Sequence, residues 1–194
     1  MRNEKKREQA ETPRVTPLHE NQLKSVIDNY RALCAYCDSI WARVIDAYPN
    51  EIACRKGCGI CCELQSVNQI EAYVIRAHIR TSSLPAISPS TTKFKNSCPF
   101  LHDDACSVYP ARPIICRTHG LVLRSTEFLR PQAASCPYNF PSLHPRDIPE
   151  ELTADIDRIT KNLTKLNLAY CMLMEINVKD EASGRVMLAD ISEV

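Results

Sequence analysis

Clustered cysteines are the residues with which this sequence could do chemistry. The segment CRKGCGICC, from position 54 to position 62, places four cysteines within nine residues. Cys54, Cys58 and Cys61 are separated by three and then two residues, a spacing that brings three sulfurs within reach of one metal centre. Gly57 and Gly59 flank Cys58, and glycine suits a backbone that must turn tightly with its N–H groups close to sulfur. The segment therefore predicts metal ligation by thiolates.

Eight of the 11 cysteines lie in the middle of the chain and are the predicted metal ligands. They are Cys54, Cys58, Cys61, Cys62, Cys98, Cys106, Cys116 and Cys136. The adjacent Cys61 and Cys62 point in different directions in a helix or a strand, so we do not expect both to bind one tetrahedral ion. Eight thiolates allow two four-thiolate sites, or one cluster with additional structural cysteines, and both arrangements stay open. Iron–sulfur clusters and zinc both take four cysteines, so the ligand type alone does not choose between them.

The three remaining cysteines and the histidines are weaker candidates. Cys34, Cys37 and Cys171 fall on helical patterns, and we expect them to be buried as small apolar side chains. His102 follows CPFL and His119 follows CRT, so each is near a cysteine and stays a candidate ligand, although a single histidine is more often structural. Four cations beside the cysteines either offset the charge of a thiolate cluster or are ordinary surface residues. They are Arg55, Lys56, Arg112 and Arg117.

Composition limits the compartments and partners of the chain. With 24 Lys and Arg against 23 Asp and Glu, the net charge is +1, so no strong field attracts nucleic acid or anionic lipid. No apolar stretch approaches the roughly 20 residues that cross a bilayer, and the first residues lack the apolar core of a secretion signal. Many cysteines in a reducing cytosol favour metal or redox roles over disulfides. We therefore predict a soluble cytoplasmic protein that binds neither nucleic acid nor membrane.

Two long helices are predicted to flank the cysteine-rich segment. The first covers residues 16–48, with Pro17 in its first turn and apolar residues at alternating steps of three and four. The second covers residues 148–177, with Asp147 and Glu150 as a capping box. Two such helices can pair antiparallel within one chain, or form a coiled coil between two chains. The oligomeric state therefore stays open between a monomer and a homodimer through the long helices.

The predicted fold is mainly α, with two long antiparallel helices flanking a small irregular Cys-rich metal-binding module. We expect one domain over residues 16–177, with the module at 50–140 holding short helices and at most a small β-hairpin. One of these helices starts at a capping box of Ser66 and Gln69 and ends near residue 80, before a Ser/Thr/Pro-rich linker at 81–97. Residues 1–15 are predicted to be a disordered tail, and 178–194 a C-terminal tail that either docks as a short strand or frays.

The cysteine segment and the motifs after it resemble a known family. CRKGCGICC, a helix carrying Glu71, CPFL at Cys98, AC at Cys106 and YPARPIICR at 109–117 are similar to the YkgJ-type cysteine-cluster proteins. The resemblance covers residues 54–136 and implies a zinc- or iron-chelating domain, often described as iron–sulfur cluster-binding. It implies ligand roles for the seven cysteines from position 54 to position 116, with Cys136 as a further member.

The motif YPARPIICR also carries a structural expectation. Pro113 suits the first turn of a short helix, and Arg112 is placed to pair with a carboxylate. We take Glu71 as the candidate partner of Arg112.

Three functions stay open. The preferred one is a metal-binding protein that holds an iron–sulfur cluster, or zinc, and serves electron transfer or an accessory role. The alternatives are a structural zinc module of an interaction protein and a metal-assisted modifying enzyme, since a related cysteine region occurs in flagellin lysine-N-methylases. No pair of nucleophile and base stands out, so an enzyme is neither assigned nor excluded. A protein partner or substrate stays open, and the sequence does not identify it.

Overall fold

The structure is a computed structural model that describes residues 17–82, 97–126, 136–178 and 184–192. These residues are mainly helical, as predicted, and their strands form only two-stranded pairs. The helices are α1 Pro17–Ala47, α2 Gln69–Thr81, α3 Ile114–Thr118, α4 Ile156–Leu173 and α5 Leu188–Ser192. The strands are β1 Ser66–Asn68, β2 Leu101–His102, β3 Ala105–Cys106, β4 Leu123–Arg124, β5 Ala154–Asp155 and β6 Arg185–Met187.

Helix α1 lies close to the predicted bounds of the first helix. It has 31 residues and begins at Pro17, whose fixed φ suits the first turn of a helix. It ends at Ala47, two residues before Pro49, which cannot continue a helix. Its buried side chains recur at helical spacing: Ile27, Tyr30, Leu33, Cys34, Cys37, Ile40 and Val44. This buried side of α1 forms one wall of the main core.

The second flanking helix is shorter than predicted. The sequence predicted a helix over residues 148–177, but α4 has 18 residues and begins at Ile156. The segment before it forms two 3-10 turns, Pro145–Asp147 and Glu150–Leu152, and then β5, which pairs in parallel with β4. The N-cap of α4 is Asp155, whose side chain accepts a hydrogen bond from a backbone N–H of the first turn at 3.0 Å. The prediction was wrong because strand pairing uses the backbone groups that a longer helix would have needed.

Helix α1 packs against α4 within the same chain. Arg43, near the end of α1, donates a hydrogen bond to the carbonyl oxygen of Glu151 at 3.1 Å, shortly before α4 begins. The end of α1 therefore lies beside the start of α4, as an antiparallel pair requires. Near the end of α4, the ring of Tyr170 contacts that of Tyr73 on α2, with centroids 5.6 Å apart. The main core lies between these helices.

Helix α2 begins later than its predicted cap. Ser66 was the predicted N-cap, but it lies in β1, and the N-cap is Asn68. The carboxylate of Glu71 accepts a hydrogen bond from the backbone N–H of Asn68 at 3.0 Å, so the capping box lies two residues further along the chain. The shift follows from the pairing of β1 with β6, which holds Ser66 in an extended conformation.

A second core is closed by the C-terminal segment. Strand β6 pairs antiparallel with β1, with Val186 opposite Val67, and α5 follows directly. Leu188 and Ile191 of α5 are buried in the same cluster as Ile75 of α2, and we call this cluster the second core. Of the two expectations for residues 178–194, a docking strand or a frayed end, the structure contains the strand.

The part of the cysteine-rich segment that the structure describes contains the small hairpin that the sequence allowed. Strands β2 and β3 pair antiparallel, and Asp103 and Asp104 make the turn between them with φ values of +46° and +57°. The predicted tail at 1–15 and most of the linker at 81–97 lie outside the described residues. The division into one domain over 16–177 stays a prediction. Among the helices of the described residues, none is long and apolar enough to span a bilayer.

Candidate metal centre

The eight predicted ligands lie on loops and short elements rather than on α1 or α4. Four of them are in the loop between α1 and β1. Cys98 precedes β2, Cys106 lies in β3, Cys116 lies in α3, and Cys136 lies before the 3-10 turns. All 11 cysteines are free thiols. Separate parts of the chain must therefore meet if these cysteines are to share a metal.

Asn139 joins two of the cysteine segments. Its Nδ2 donates hydrogen bonds to Sγ of Cys54 at 3.3 Å and to the carbonyl oxygen of Gly120 at 2.9 Å. Its Oδ1 accepts a hydrogen bond from the N–H of Ala53 at 2.9 Å, and its own N–H donates to the carbonyl oxygen of Cys136 at 2.9 Å. Asn139 is only 4% exposed, so these bonds hold Cys54 and Cys136 beside each other. No motif in the sequence pointed to this residue.

Three other thiols are electrostatic neighbours of Cys54. Burial raises the pKa of the Cys54 thiol, and the hydrogen bond from Asn139 acts in the opposite direction. The charges of Cys136, Cys61 and Cys58 raise this pKa further, so their sulfurs lie within Coulombic range of Cys54. We call Cys54, Cys58, Cys61 and Cys136 the first thiol group.

Gly120 allows the backbone to pass close to the first thiol group. Its φ is +93°, in the left-handed region that favours glycine. A Cβ atom here would lie 3.1 Å from Sγ of Cys54, 3.1 Å from Nδ2 of Asn139 and 3.2 Å from the ring of Trp41. Any side chain at position 120 would therefore displace the sulfur and its hydrogen-bond donor.

The other four cysteines are linked through the β2–β3 hairpin. The N–H of Cys98 donates a hydrogen bond to the carbonyl oxygen of Cys62 at 2.7 Å, and Cys106 pairs with Leu101 in the hairpin. Cys98 and Cys106 both pack against the second core. Cys116 is exposed as a residue, but desolvation of its thiol and then the charges of Cys98 and Cys106 raise its pKa. We call Cys62, Cys98, Cys106 and Cys116 the second thiol group.

Cys61 and Cys62 make the contact between the two groups. The thiol of Cys61 donates a hydrogen bond to the sulfur of Cys62, which lowers the pKa of Cys62 and raises that of Cys61. Burial and the charges of Cys116, Cys106 and Cys98 act on Cys62 in the opposite direction. The electrostatic neighbours of Cys62 are thus the other members of the second group, together with Cys61.

His119 is the candidate histidine that lies beside a predicted ligand. It forms a hydrogen bond with Cys61, and this bond raises the pKa of the imidazole while partial burial lowers it. His102 lies in β2, and its Nε2 atom is buried with no hydrogen-bond partner in the described part of the chain. His119 therefore stays a candidate ligand at the first thiol group.

Two arginines anchor the segment around Cys116 to α1. Arg112 donates a hydrogen bond to Oδ1 of Asp38 at 2.7 Å, and Arg117 donates to Oδ2 of the same carboxylate. Arg117 is 5% exposed and also donates to the carbonyl oxygens of Arg112 and Pro110 at 2.9 and 2.7 Å. Asp38 therefore pairs with both arginines. Burial raises the pKa of Cys106, and the charge of Arg112 acts to lower it. Arg55 and Lys56 are exposed surface cations.

The predicted pairing of Arg112 with Glu71 is wrong. The Glu71 carboxylate is buried and accepts hydrogen bonds from the N–H groups of Asn68 and Ile114, both at 3.0 Å. Burial raises the pKa of Glu71, and these two hydrogen bonds oppose that rise. One carboxylate thus joins the starts of α2 and α3, because both helices leave N–H groups unpaired there.

The three cysteines expected in the core are buried there. Cys34 and Cys37 lie on the buried side of α1, and Cys171 lies on α4. Burial raises the pKa of all three thiols, and that of Cys37 reaches about 12. All three belong to the main core.

The donor chemistry of the two thiol groups fits zinc or iron, which both bind thiolate sulfur. In the ranges that the structure describes, no three cysteine, histidine, aspartate or glutamate side chains form a ready-made metal-binding arrangement. The thiols therefore lie near one another, but they are not arranged as the complete coordination sphere of a metal ion. Binding a metal would require them to lose protons and to close around it.

The fold and the thiol groups define a mainly helical protein with a cysteine-rich chelating region. Residues 53–137 match the model of the CxxCxxCC family, described as "Putative zinc- or iron-chelating domain". This segment of the chain matches the YkgJ-type cysteine-cluster family that its motifs resemble. The match includes all eight predicted ligands and leaves α1 and α4 outside. Comparison with curated proteins and with solved structures found no match.

Proposed function

We propose that this protein holds an iron–sulfur cluster through the thiolates of the first and second thiol groups, with zinc as the alternative. One observation supports the proposal most directly. Cysteines from distant parts of the chain lie close enough to Cys61 and Cys62 for their charges to influence one another. Clustered thiolates are the ligands that both iron–sulfur clusters and zinc use. The match of residues 53–137 to a zinc- or iron-chelating domain supports the same chemistry.

The number of thiols favours iron–sulfur over one structural zinc ion. A structural zinc ion takes four ligands, whereas the two thiol groups together contain eight. A bound iron–sulfur cluster supplies one-electron transfer. We therefore propose a role in electron transfer, or an accessory role to a redox partner.

The surface next to the thiols supports a protein partner. Cys61 and Cys116 are exposed, and so are the adjacent side chains of Ile60 and Ile115. Tyr138, two residues after Cys136, is also exposed. Apolar side chains beside exposed ligands suit contact with another protein, whereas the net charge of +1 offers nucleic acid or a membrane surface no electrostatic attraction.

The proposal includes the oligomeric state of the chain and its cellular compartment. The buried side of α1 is covered by α4 of the same chain, which favours a monomer over a homodimer formed through the long helices. Free thiols suit the reducing cytoplasm, since an oxidising compartment promotes disulfides.

Anaerobic purification tests the metal. The full chain should be brown, with visible absorption, iron and acid-labile sulfide, and with little zinc. A colourless protein with stoichiometric zinc would show that the bound metal is zinc and not an iron–sulfur cluster. A chain that retains neither metal, when purified anaerobically or when loaded with zinc, would contradict the proposed function.

A matched pair of variants separates ligands from core cysteines. Cys58→Ser should lose metal and stability together, because bound metal contributes to folding. Cys34→Ala should keep the metal and lose only core packing, on the order of 1 kcal/mol. Equal metal contents in the two variants would argue against the assigned ligands.

A further inference from the structure

We infer that the two thiol groups are two separate four-thiolate metal sites, and that the adjacent Cys61 and Cys62 serve different sites. The first site consists of Cys54, Cys58, Cys61 and Cys136. The second consists of Cys62, Cys98, Cys106 and Cys116. The inference rests on the proposed function and adds the number of centres and the ligands of each.

Hydrogen bonds from Asn139 hold two cysteines of the first site beside each other. Asn139 fixes Cys54 through its side chain and the carbonyl of Cys136 through its backbone N–H. Cys58 closes a turn on the same loop, since its N–H donates to the carbonyl oxygen of Arg55 at 3.1 Å. These contacts involve the loop after α1 and the residues from 136 to 139, and they do not use the hairpin.

A different part of the fold holds the second site. The bond from Cys98 to the carbonyl of Cys62 and the β2–β3 pairing place three of its cysteines in one unit. Cys98 and Cys106 rest on the second core, which α5 closes. Cys116 is brought to them by α3, whose first N–H is bound by Glu71. The second site therefore depends on the hairpin and the second core, whereas Asn139 holds the first site. The residues directly after α3, His119 and Gly120, contact the first site.

The Cys61–Cys62 dipeptide is the junction between the sites. The two residues lie at a turn, where the Cys61 thiol is hydrogen-bonded to the sulfur of Cys62. Cys61 forms a hydrogen bond with His119, and burial of Cys54 and the charge of Cys61 both raise the pKa of Cys54. The hydrogen bond from Cys61 lowers the pKa of Cys62, and the charges of the other three cysteines of the second group act to raise it. Cys61 also lies within Coulombic range of Cys116, as a junction residue must.

The ligand count agrees with this division. A tetrahedral zinc ion or one iron–sulfur cluster takes four cysteine ligands. Each thiol group provides four cysteines, so neither site needs His119 as a ligand. A single centre would use only half of the gathered thiols and leave the others without a role.

The test counts the metal ions that the full chain retains. The metal-free chain is loaded with Zn²⁺ under reducing conditions, competed with a chelator, and analysed for zinc per chain. Two sites predict about two retained zinc ions. Cadmium NMR of the unsubstituted chain should give two resonances of thiolate-bound metal, and this count needs no substitution, so a variant that fails to fold cannot hide the answer.

Two double variants that differ by one position give the sharpest comparison. Cys58→Ser with Cys61→Ser removes two ligands of the first site, so about one zinc ion should be retained by the intact second site. Cys58→Ser with Cys62→Ser damages both sites, so no chelator-resistant zinc should be retained. Both variants lack the same number of thiols, and circular dichroism checks that each keeps its helices.

The possible outcomes separate this inference from the proposed function. One cadmium resonance, or equal zinc in the two double variants, would overturn the two-site division while metal binding itself still held. An unsubstituted chain that retains no metal would overturn both.

Discussion

The Nδ2 atom of Asn139 donates a hydrogen bond to Sγ of Cys54 across 85 residues of sequence, at 3.3 Å. The same side chain binds backbone groups of Ala53 and Gly120. A donor aimed at sulfur favours the thiolate over the thiol, which is the form that binds metal. Asn139 therefore has two effects: it holds the first thiol group together, and it favours the charged state of one member.

Asn139→Ala should weaken both the fold and metal binding. Removing a buried amide leaves the Ala53 N–H and the Gly120 carbonyl without this partner, at a cost of about 1–3 kcal/mol in the free energy of unfolding. The metal affinity of the first site should fall as well, measured by competition with a chelator. Asn167 is the matched control, since its side chain accepts a hydrogen bond from the Ile70 N–H at 3.2 Å. Asn167→Ala should lower stability and leave the metal affinity of the folded chain unchanged, and a loss of affinity equal to that of Asn139→Ala would contradict the assigned role.

Gly120→Ala should be more damaging than an ordinary glycine substitution. A left-handed φ costs alanine about 1–2 kcal/mol. The added Cβ would also lie 3.1 Å from Sγ of Cys54, so the sulfur or its donor must move. We expect reduced stability together with reduced metal content, measured by chemical unfolding and metal analysis.

Gly57→Ala provides the control for backbone strain alone. Gly57 has nearly the same φ, +92°, but a Cβ there would meet no atom within 4 Å. The free energy of unfolding of Gly57→Ala should therefore fall by only about 1–2 kcal/mol, which is the cost of a left-handed backbone for alanine. If the two alanine variants were equally stable and held equal metal, close packing at Gly120 would not matter to the site.

The local part of the site could be predicted from the sequence, and the long-range part could not. The spacing of Cys54, Cys58 and Cys61 is itself the signal for ligation, because neighbouring positions in a tight loop must lie close in space. By contrast, Asn139 reaches Cys54 and Asp38 reaches Arg112 over 85 and 74 residues, respectively. The sequence contains other asparagines and carboxylates that could equally have been the partners, so no sequence pattern could single out Asn139 and Asp38.

The same limit explains the errors in the helices. Asp147 and Glu150 have the spacing of a capping box, and Asp155, which is the N-cap of α4, has no stronger local signal. The pairing of β4 with β5 decides which of the two positions starts the helix. Each strand is only two residues long, which is too short to show the alternation of apolar and polar residues that predicts a strand. Buried positions of α1 could be predicted because its apolar spacing extends over 31 residues.

Asp38→Asn should destabilise the protein through Arg117. Loss of the Asp38 charge leaves the nearly buried Arg117 without its carboxylate. A fully buried pair would cost about 3–5 kcal/mol, but the Asp38 side chain is 40% exposed, and solvent screening reduces our expectation to about 2 kcal/mol. Chemical unfolding of the reduced protein measures this change.

Asp28→Asn is the matched control on the same helix. Asp28 also pairs with two cations, Lys24 and Arg31, but all three side chains are well exposed. Exposed pairs contribute little, so this variant should have the stability of the unsubstituted chain. Equal losses in the Asp38 and Asp28 variants would show that burial of Arg117 does not set the cost.

Cys37 should make the protein less stable in alkali. Burial raises the pKa of the Cys37 thiol from its usual value of 9.0 to about 12, so the thiol ionises in the unfolded chain before it ionises in the folded one. Its contribution to stability is therefore complete below pH 9.0 and is lost as the pH rises toward about 12. Between pH 9.0 and roughly 10.5, this residue alone should remove about 1–2 kcal/mol from the free energy of unfolding.

The measurement compares unfolding at about pH 8 and about pH 10.5 under reducing conditions, a range over which an ordinary cysteine titrates. Cys37→Ala should lose less stability between these two conditions than the unsubstituted chain does. Ile40→Val, a buried position on the same helix with no titrating group, should lower stability by the same amount at both pH values and keep the full pH dependence. Other buried acids such as Cys34 contribute in the same direction, so the Cys37 variant should retain part of the alkaline loss. If Cys37→Ala and Ile40→Val had identical pH dependence, ionisation of Cys37 would not be a source of alkaline unfolding.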